Sequence, residues 1–275
     1  MRRIGITQRV EIAASHGERR DCLDQRWGRL LAARGFVPVP LCNGVEDVAR
    51  YVDELALHGV ILSGGNDIAS LDEATSAAPE RDRFERALLL AGSACRLPIL
   101  GVCRGAQLLA LFHGGQIGPV TNHLARRHAV SRVPGALGEG ASAAGRVVSR
   151  WPERFEVNSY HSFTIAAAGP GSRLVPLALA DDGSVEAVGH VDLPQLGVLW
   201  RPEREAPAER DALDPLDLLC IFAEPSLQRP ALRGGSGGGW RGIRAFDPSE
   251  PIEPGGGYLH ERGDRREPIG RGERG

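Results

Sequence analysis

The amino-acid sequence predicts an α/β fold, a doubly wound and mostly parallel sheet flanked by helices, on three observations. Up to about Ala223 short apolar runs alternate with amphipathic ones, the order of strands feeding helices. One apolar run ends directly in a cysteine between two glycines and continues as a helical pattern. Between about Ile117 and Trp200 the helical period gives way to short β-like runs, which implies a small antiparallel excursion within the same domain.

Taken in order, "RRIGIT", "FVPVPL", "HGVILSGG" and "LPILGV" read as buried strands. Between them "DCLDQRWGRLL" gathers Leu23, Trp27, Leu30 and Leu31 on one helical face. "VEDVARYVDELA" does the same with Val45, Val48, Ala49, Val52, Leu55 and Ala56, and "RDRFERALLLAG" with Phe84, Ala87, Leu88 and Ala91. In the excursion, "RFEVNSYHSFTI", "RLVPLALA", "SVEAVGH" and "QLGVLW" are the strand candidates, with "ADDGS" as a hairpin turn. A last helix begins at Asp214, which is placed to cap it ahead of Pro215, and runs on to Phe222. A site in such a fold lies at the carboxyl ends of the strands.

The chain has 275 residues and a formal net charge of -2, which excludes the basic excess of a typical nucleic-acid binder. All its fixed basic side chains are arginines, since lysine is absent. No run approaches the roughly 18 apolar residues of a membrane-spanning helix. The five cysteines, at 22, 42, 95, 103 and 220, are odd in number and lack metal-type spacing, and no apolar leader follows Met1. Reduced thiols and a cytoplasmic location are the expectation. We assign residues 1–227 to the folded domain. Residues 228–275, rich in Gly, Pro and Arg, are expected to be a disordered tail, because they offer too little apolar surface to offset their ordering entropy. An RNA-contacting role for that tail is disfavoured by its acidic residues.

"PILGVCRGAQLLALF" carries the chemistry. Gly101 and Gly105 flank Cys103 so that a sharp strand-to-helix turn can present the thiol, the G-x-nucleophile-x-G elbow. At a helix N-terminus the partial positive charge is expected to lower the thiol pKa, and the backbone N–H of Arg104 to serve as one oxyanion donor. "SGGND", Ser63 to Asp67, ends another strand with glycines able to offer further donors. The remaining cysteines read as ordinary packing residues.

These segments, with "PERD" before a helix, "NHLARRH", "VNSYHSF", "DGSVEA" and "GVLWRPERE", resemble the class I glutamine amidotransferase-like enzymes, a flavodoxin-like fold, over roughly residues 1 to 223. Within them the γ-glutamyl hydrolases are the nearest match. "IGITQRV" and "GERRDCLDQRW" look most like the branch that hydrolyses γ-glutamyl-CDP-amidate in capsule phosphoramidate synthesis. The resemblance implies a Cys-His-Glu triad, an acyl-enzyme on a γ-glutamyl carbonyl, and no cofactor. Cys103 matches the nucleophile, Glu203 the orienting carboxylate, and Gly65 and Arg104 the oxyanion donors. Gln107 and Ser159, Tyr160 and His161 fall where the family contacts the glutamyl group. Arg201 falls on the triad histidine.

Arginine can neither accept the thiol proton nor return one to the departing nitrogen near neutrality. The expectation is therefore a γ-glutamyl hydrolase with a compromised triad. A γ-glutamyl-binding module that has lost the chemistry, and a glutaminase subunit delivering ammonia to a separate synthase, are the alternatives. His161 is the nearest substitute base by motif, though a hydrogen-bonded pocket histidine is the simpler reading. His123 and His128 are metal ligands by residue type, but they lack a third ligand, so no metal is expected. Arg9, Arg19, Arg20 and Arg26 are expected in a loop and helix start at the sheet's carboxyl edge, with Arg19 and Arg20 able to clamp a pyrophosphate. The expected partner is a small γ-glutamyl substrate, with neither nucleic acid nor membrane; a homodimer is left open.

Overall fold

The computed structural model of the chain describes residues 1–71, 74–138, 142–167, 172–207 and 213–221. The proposed tail and Phe222 lie outside these residues. In chain order the first half runs β1 (Arg2–Thr7), β2 (Arg9–Ile12), β3 (Arg19–Cys22), α1 (Gln25–Ala33), β4 (Phe36–Leu41), α2 (Val48–Glu54), β5 (Gly59–Leu62), α3 (Pro79–Ala94), β6 (Ile99–Val102) and α4 (Arg104–Phe112). The second half adds β7 (Gln116–Pro119), β8 (Leu124–Arg132), α5 (Ala143–Val148), β9 (Arg154–Tyr160), β10 (Phe163–Ala167), β11 (Leu174–Ala180), β12 (Val185–His190) and β13 (Gln195–Val198). A 3-10 turn, Pro202–Arg204, and α6 (Asp217–Ile221) follow.

The sheet runs β4-β1-β5-β6-β13-β12-β11-β8-β9. Its first five strands are mutually parallel. From β12 onward the pairing is antiparallel, so the excursion continues the same sheet, with β10 bridging β12 and β7. β4 carries Pro38 and Pro40, which cannot donate to a ladder, and it occupies the edge where that costs least. The "ADDGS" turn joins β11 to β12, with Gly183 at φ +84° and Ala180 N–H donating to Ser184 O at 2.9 Å.

Asp24 caps α1 and Asp47 caps α2 through their side chains. Asp214 accepts from Leu216 N–H at 2.9 Å at the entrance to the last helix. Two departures from the sequence reading bear on the site. Arg9, Arg19 and Arg20 lie not in a loop but on the β2–β3 hairpin. And α4 is not amphipathic in its setting: every one of its residues is buried.

That burial follows from topology. β6, which feeds α4, lies between β5 and β13 at the centre of the sheet, so the helix leaving it is covered on all sides. Register then gathers the site. Val102 pairs with Val198, and Gly101 with both Leu62 and Gly197. Cys103, the Ser63–Asp67 segment and the Leu199–Glu203 segment therefore leave the sheet at one edge.

Candidate active site

Cys103 occupies a strained backbone at φ 53°, ψ -109°, a region costing a non-glycine residue about 1–3 kcal/mol. Its N–H donates to Val198 O at 2.8 Å, and its carbonyl accepts the first turn of α4 from Ala106 and Gln107. The flanking glycines are required by space. A Cβ at Gly105 would stand 2.1 Å from Leu62 O, and one at Gly101 would stand 2.7 Å from the Gly105 carbonyl. No side chain fits either gap. Thiol presentation at this elbow is thus bought by bare backbone on both sides, as the sequence predicts.

The Ser63–Asn66 loop is fixed from beneath. Arg81, fully buried at the start of α3, donates to Ser63 O at 2.7 Å and to the carbonyls of Gly64 and Gly65. Peptides here are trans, so a Gly64 carbonyl turned toward Arg81 directs the Gly65 N–H away from it. Arg81 is itself held by Glu85 at 2.9 Å, and Glu85 and Asp82 grip the Arg104 side chain. Burial pulls Arg81 down to about 10, against the pull of Glu85. For Arg104 the same burial penalty is outweighed by Glu85 and Asp82, which raise it. Arg81 and Asp82 come from the "PERD" segment, and Glu85 follows three residues later in the same helix. The sequence reading quoted that segment but gave it no role, because a charged helix start looks solvated until the fold covers it.

Arg201 holds the place opposite the thiol. Its Nη2 lies 3.7 Å from Cys103 Sγ and its Nη1 3.9 Å from Glu203 Oε1. The guanidinium packs on Gly64, where a Cβ would meet it at 3.0–3.2 Å. Asn158 clamps the Arg201 backbone in both directions, accepting from its N–H at 3.0 Å and donating to its carbonyl at 2.9 Å. Asn158 is in turn held by Glu205, which pairs with Arg127. Sequence reasoning named its neighbours and missed Asn158.

Burial pushes the Cys103 thiol up, opposed by the Arg201 charge and the Arg104 backbone N–H. The expected depression by the helix terminus does not prevail, because taking the thiolate out of water costs more than the Arg201 charge and the Arg104 N–H return. Glu203 is raised to about 7, again by burial, with Arg201 opposing. Its Oε2 is buried without a hydrogen-bond partner, as is the Arg201 Nε.

The expected glutamyl-contacting residues converge, but their side chains are occupied. Gln107 donates to Phe163 O at 2.8 Å, and His161 Nδ1 lies 3.1 Å from the same carbonyl. Ser159 donates to His123 O. His161 Nε2 faces Glu186 at 3.2 Å, so both its ring nitrogens are committed. Tyr160 is the exposed member, its ring 4.8 Å from the Arg204 guanidinium and 5.9 Å from that of Arg201. Each of the four arginines has a carboxylate partner: Arg9 pairs with Glu11, Arg19 with Glu80, Arg20 with Glu18 and Arg26 with Asp24. Arg9 also packs its stem on Gly65. His123 and His128, expected to lack a third metal ligand, have the Glu186 carboxylate beside them, from β12 far along the chain.

A parallel α/β sheet with a cysteine elbow at its centre, a braced glycine loop beside it and a buried glutamate across from it defines a class, the class I glutamine amidotransferase-like proteins. The fold agrees with solved members: a glutamine amidotransferase of Thermotoga maritima superposes with a TM-score of 0.53 at 17% identity, covering 81% of this chain and 90% of that one. The chain belongs to the peptidase C26 family, whose model matches residues 3–203. Among curated relatives it is 33% identical over 205 residues to the gamma-glutamyl-CDP-amidate hydrolase of Campylobacter jejuni, covering 74% of this chain and 90% of that protein. It is 27% identical over 215 residues to the gamma-glutamyl-gamma-aminobutyrate hydrolase of Escherichia coli O157:H7, covering 68% of this chain and 80% of that protein. Among the described residues no helix is long and apolar enough to cross a membrane.

Proposed function

We propose that the protein is a cysteine-dependent hydrolase of γ-glutamyl amide bonds, specialised for a leaving nitrogen acidic enough to depart without a histidine. The observation that carries this reading is the guanidinium 3.7 Å from Cys103 Sγ, where a proton-transferring imidazole is expected. A fixed cation stabilises the thiolate but moves no proton. The substrate must then supply what the enzyme lacks. A nitrogen bonded to phosphorus, as in γ-glutamyl-CDP-amidate, has its charge drawn off by the phosphoryl group and leaves more easily than a simple amine.

In this reading the Cys103 thiolate attacks the γ-carbonyl, and the oxyanion is received by the N–H groups of Gly65 and Arg104. The C–N bond breaks, the amidate leaves and takes its proton from water, and a γ-glutamyl thioester remains on Cys103. Water then attacks the thioester, releasing glutamate and regenerating the thiolate, with the displaced proton passing to solvent. Tyr160 and the backbone of the Ser159–His161 segment, held by Gln107 at Phe163, border the glutamyl group. Arg19 and Arg20 would take a pyrophosphate by exchanging the surface carboxylates of Glu80 and Glu18 for phosphate oxygens. A cytoplasmic role in capsule phosphoramidate synthesis follows from this reading.

A second reading rests on the same arginine. Its packing on Gly64 and the raised thiol suit a γ-glutamyl-binding protein without turnover. A panel of γ-glutamyl-CDP-amidate, γ-glutamyl-aminobutyrate and glutamine separates the two. The hydrolase reading expects glutamate release from the amidate at least about 100-fold faster than from the amine-leaving substrate, with hydroxylamine trapping the thioester. Tight binding with no turnover of any member establishes the binding protein instead. Preference for glutamine with ammonia release would make the chain a glutaminase.

A further inference from the structure

Away from the thiol, the segment before β8, β8 itself and β12 bring His123, His128 and Glu186 together in the antiparallel half of the sheet. The ligating atoms all lie within 4.8 Å of one another. His123 Nδ1 is 3.1 Å and His128 Nε2 3.3 Å from the same oxygen, Glu186 Oε1. Yet neither nitrogen makes a hydrogen bond, and Glu186 Oε2 has none either, although all three atoms are buried. Proximity without hydrogen bonding is costly unless something else satisfies these lone pairs.

The outer hydrogen bonds show which way the rings are protonated. His123 Nε2 lies 2.9 Å from Asp182 Oδ2, a carboxylate that can only accept, so Nε2 carries the hydrogen. In the neutral ring Nδ1 is then a lone pair aimed at Glu186. His161 repeats the pattern. It has an acceptor on each side, Phe163 O 3.1 Å from Nδ1 and Glu186 Oε1 3.2 Å from Nε2, so a neutral ring satisfies only one of them. Acceptor faces acceptor twice. A proton on every ring would resolve this only by packing like charges, with centroids of His123 and His128 4.5 Å apart and of His123 and His161 4.9 Å apart. A cation between the rings resolves it with all of them neutral. Two ligands on one tetrahedral Zn²⁺, at bonds of about 2.0–2.1 Å, stand about 3.4 Å apart, close to the separations seen.

We infer that His123 Nδ1, His128 Nε2 and Glu186 form a binding site for a divalent first-row cation of the imidazole-preferring kind, Zn²⁺ foremost. Asp182 orients His123, as carboxylates behind metal-bound histidines do. These ligands lie away from the thiol, with His123 and Glu186 buried, so the ion is structural. It ties β8 to β12 and, through Glu186, to the His161 turn, and through Phe163 O to Gln107 on the helix that carries the nucleophile.

The test uses the full chain, purified without chelator and measured for metal content, then stripped and titrated with Zn²⁺ and Co²⁺. The expected result is one ion per chain, a melting temperature that falls on stripping and recovers with Zn²⁺, and visible Co²⁺ bands without thiolate charge transfer. Cys103→Ser should keep this binding. His128→Ala, at the most exposed of the ligands with 17% of its side chain accessible, should lose it while remaining folded. Asp182→Asn should weaken affinity about 10–100-fold. Absence of stoichiometric binding and of any thermal shift overturns the inference and leaves a charged hydrogen-bond cluster. Undiminished binding in His128→Ala overturns it as well, by placing the ion elsewhere.

Discussion

Replacing Arg201 with histidine should raise γ-glutamyl hydrolysis by about 100-fold or more, the lower end of what a positioned acid-base group supplies. The structure favours a clean exchange. The Arg201 backbone is fixed by Asn158 in both directions, so the Cα stays in place whatever side chain it carries. Removing the guanidinium opens the space over Gly64 and beside Cys103 Sγ. The buried, unpartnered Oε2 of Glu203 then has an imidazole N–H to accept, which orients the ring and stabilises its charged form. A factor of 100 corresponds to about 2.7 kcal/mol of barrier, comparable to a charge-assisted hydrogen bond at about 1.5–3 kcal/mol. The assay is steady-state glutamate release from γ-glutamyl-aminobutyrate and from γ-glutamyl-CDP-amidate. The gain should be larger for the first, whose poor leaving group depends most on a donated proton. A cycle with Glu203→Gln sharpens the test: that change should matter little beside Arg201 and should erase most of the gain beside the new histidine, a coupling that independent sites lack. A folded Arg201→His variant with no gain on either substrate would refute the argument. If His161→Ala then abolished turnover of the parent, the base would lie at that histidine.

Cys103 should be the one cysteine modified rapidly by a glutamine-mimicking diazo-ketone, mapped by mass spectrometry; labelling at Cys22 or Cys220 instead removes the nucleophile assignment. Because burial raises this thiol and the Arg201 charge opposes it, its labelling should keep accelerating with pH above the ordinary thiol range, and Arg201→Gln should move the profile higher still. Glu85→Gln leaves Arg81 and Arg104 short of a buried carboxylate and should cost about 3–5 kcal/mol in urea unfolding; a change below 1 kcal/mol would mean the network carries no such weight. His190 accepts backbone N–H bonds from Asp192 and Leu193, and burial depresses it to about 4, helped by the neighbouring His113. A depressed folded-state pKa means the unfolded chain takes the proton first. The stability present above about pH 6.5 should therefore drain away as pH falls toward 4, and His190→Asn, scanned by calorimetry, should flatten that slope.

The local chemistry was legible in the sequence by itself. A buried strand, a cysteine between glycines and an immediate helix state their own geometry, because the steric demand at Gly101 arises against Gly105 four positions on, while that at Gly105 comes from Leu62 at the end of the neighbouring strand. The same holds for the alternating strands and helices, the "ADDGS" turn and the Asp214 cap, all set by short-range periodicity and hydrogen bonding. Even the unusual Arg201 was visible, through the fixed spacing of "WRPER" before Glu203. What only the tertiary structure decided depends on burial and on contacts distant in sequence. The thiol rises where its helix terminus alone suggests a fall, since desolvation is a property of everything packed around Cys103. Arg81, Asp82 and Glu85 look like a solvated helix start until the sheet covers them and turns them into the brace of the glycine loop. Glu186 becomes the third partner of His123 and His128 only because β12 and β8 reach the same part of one sheet, separated by β11. Sequence spacing measures distance along the chain, and electrostatics and ligation respond to distance in space.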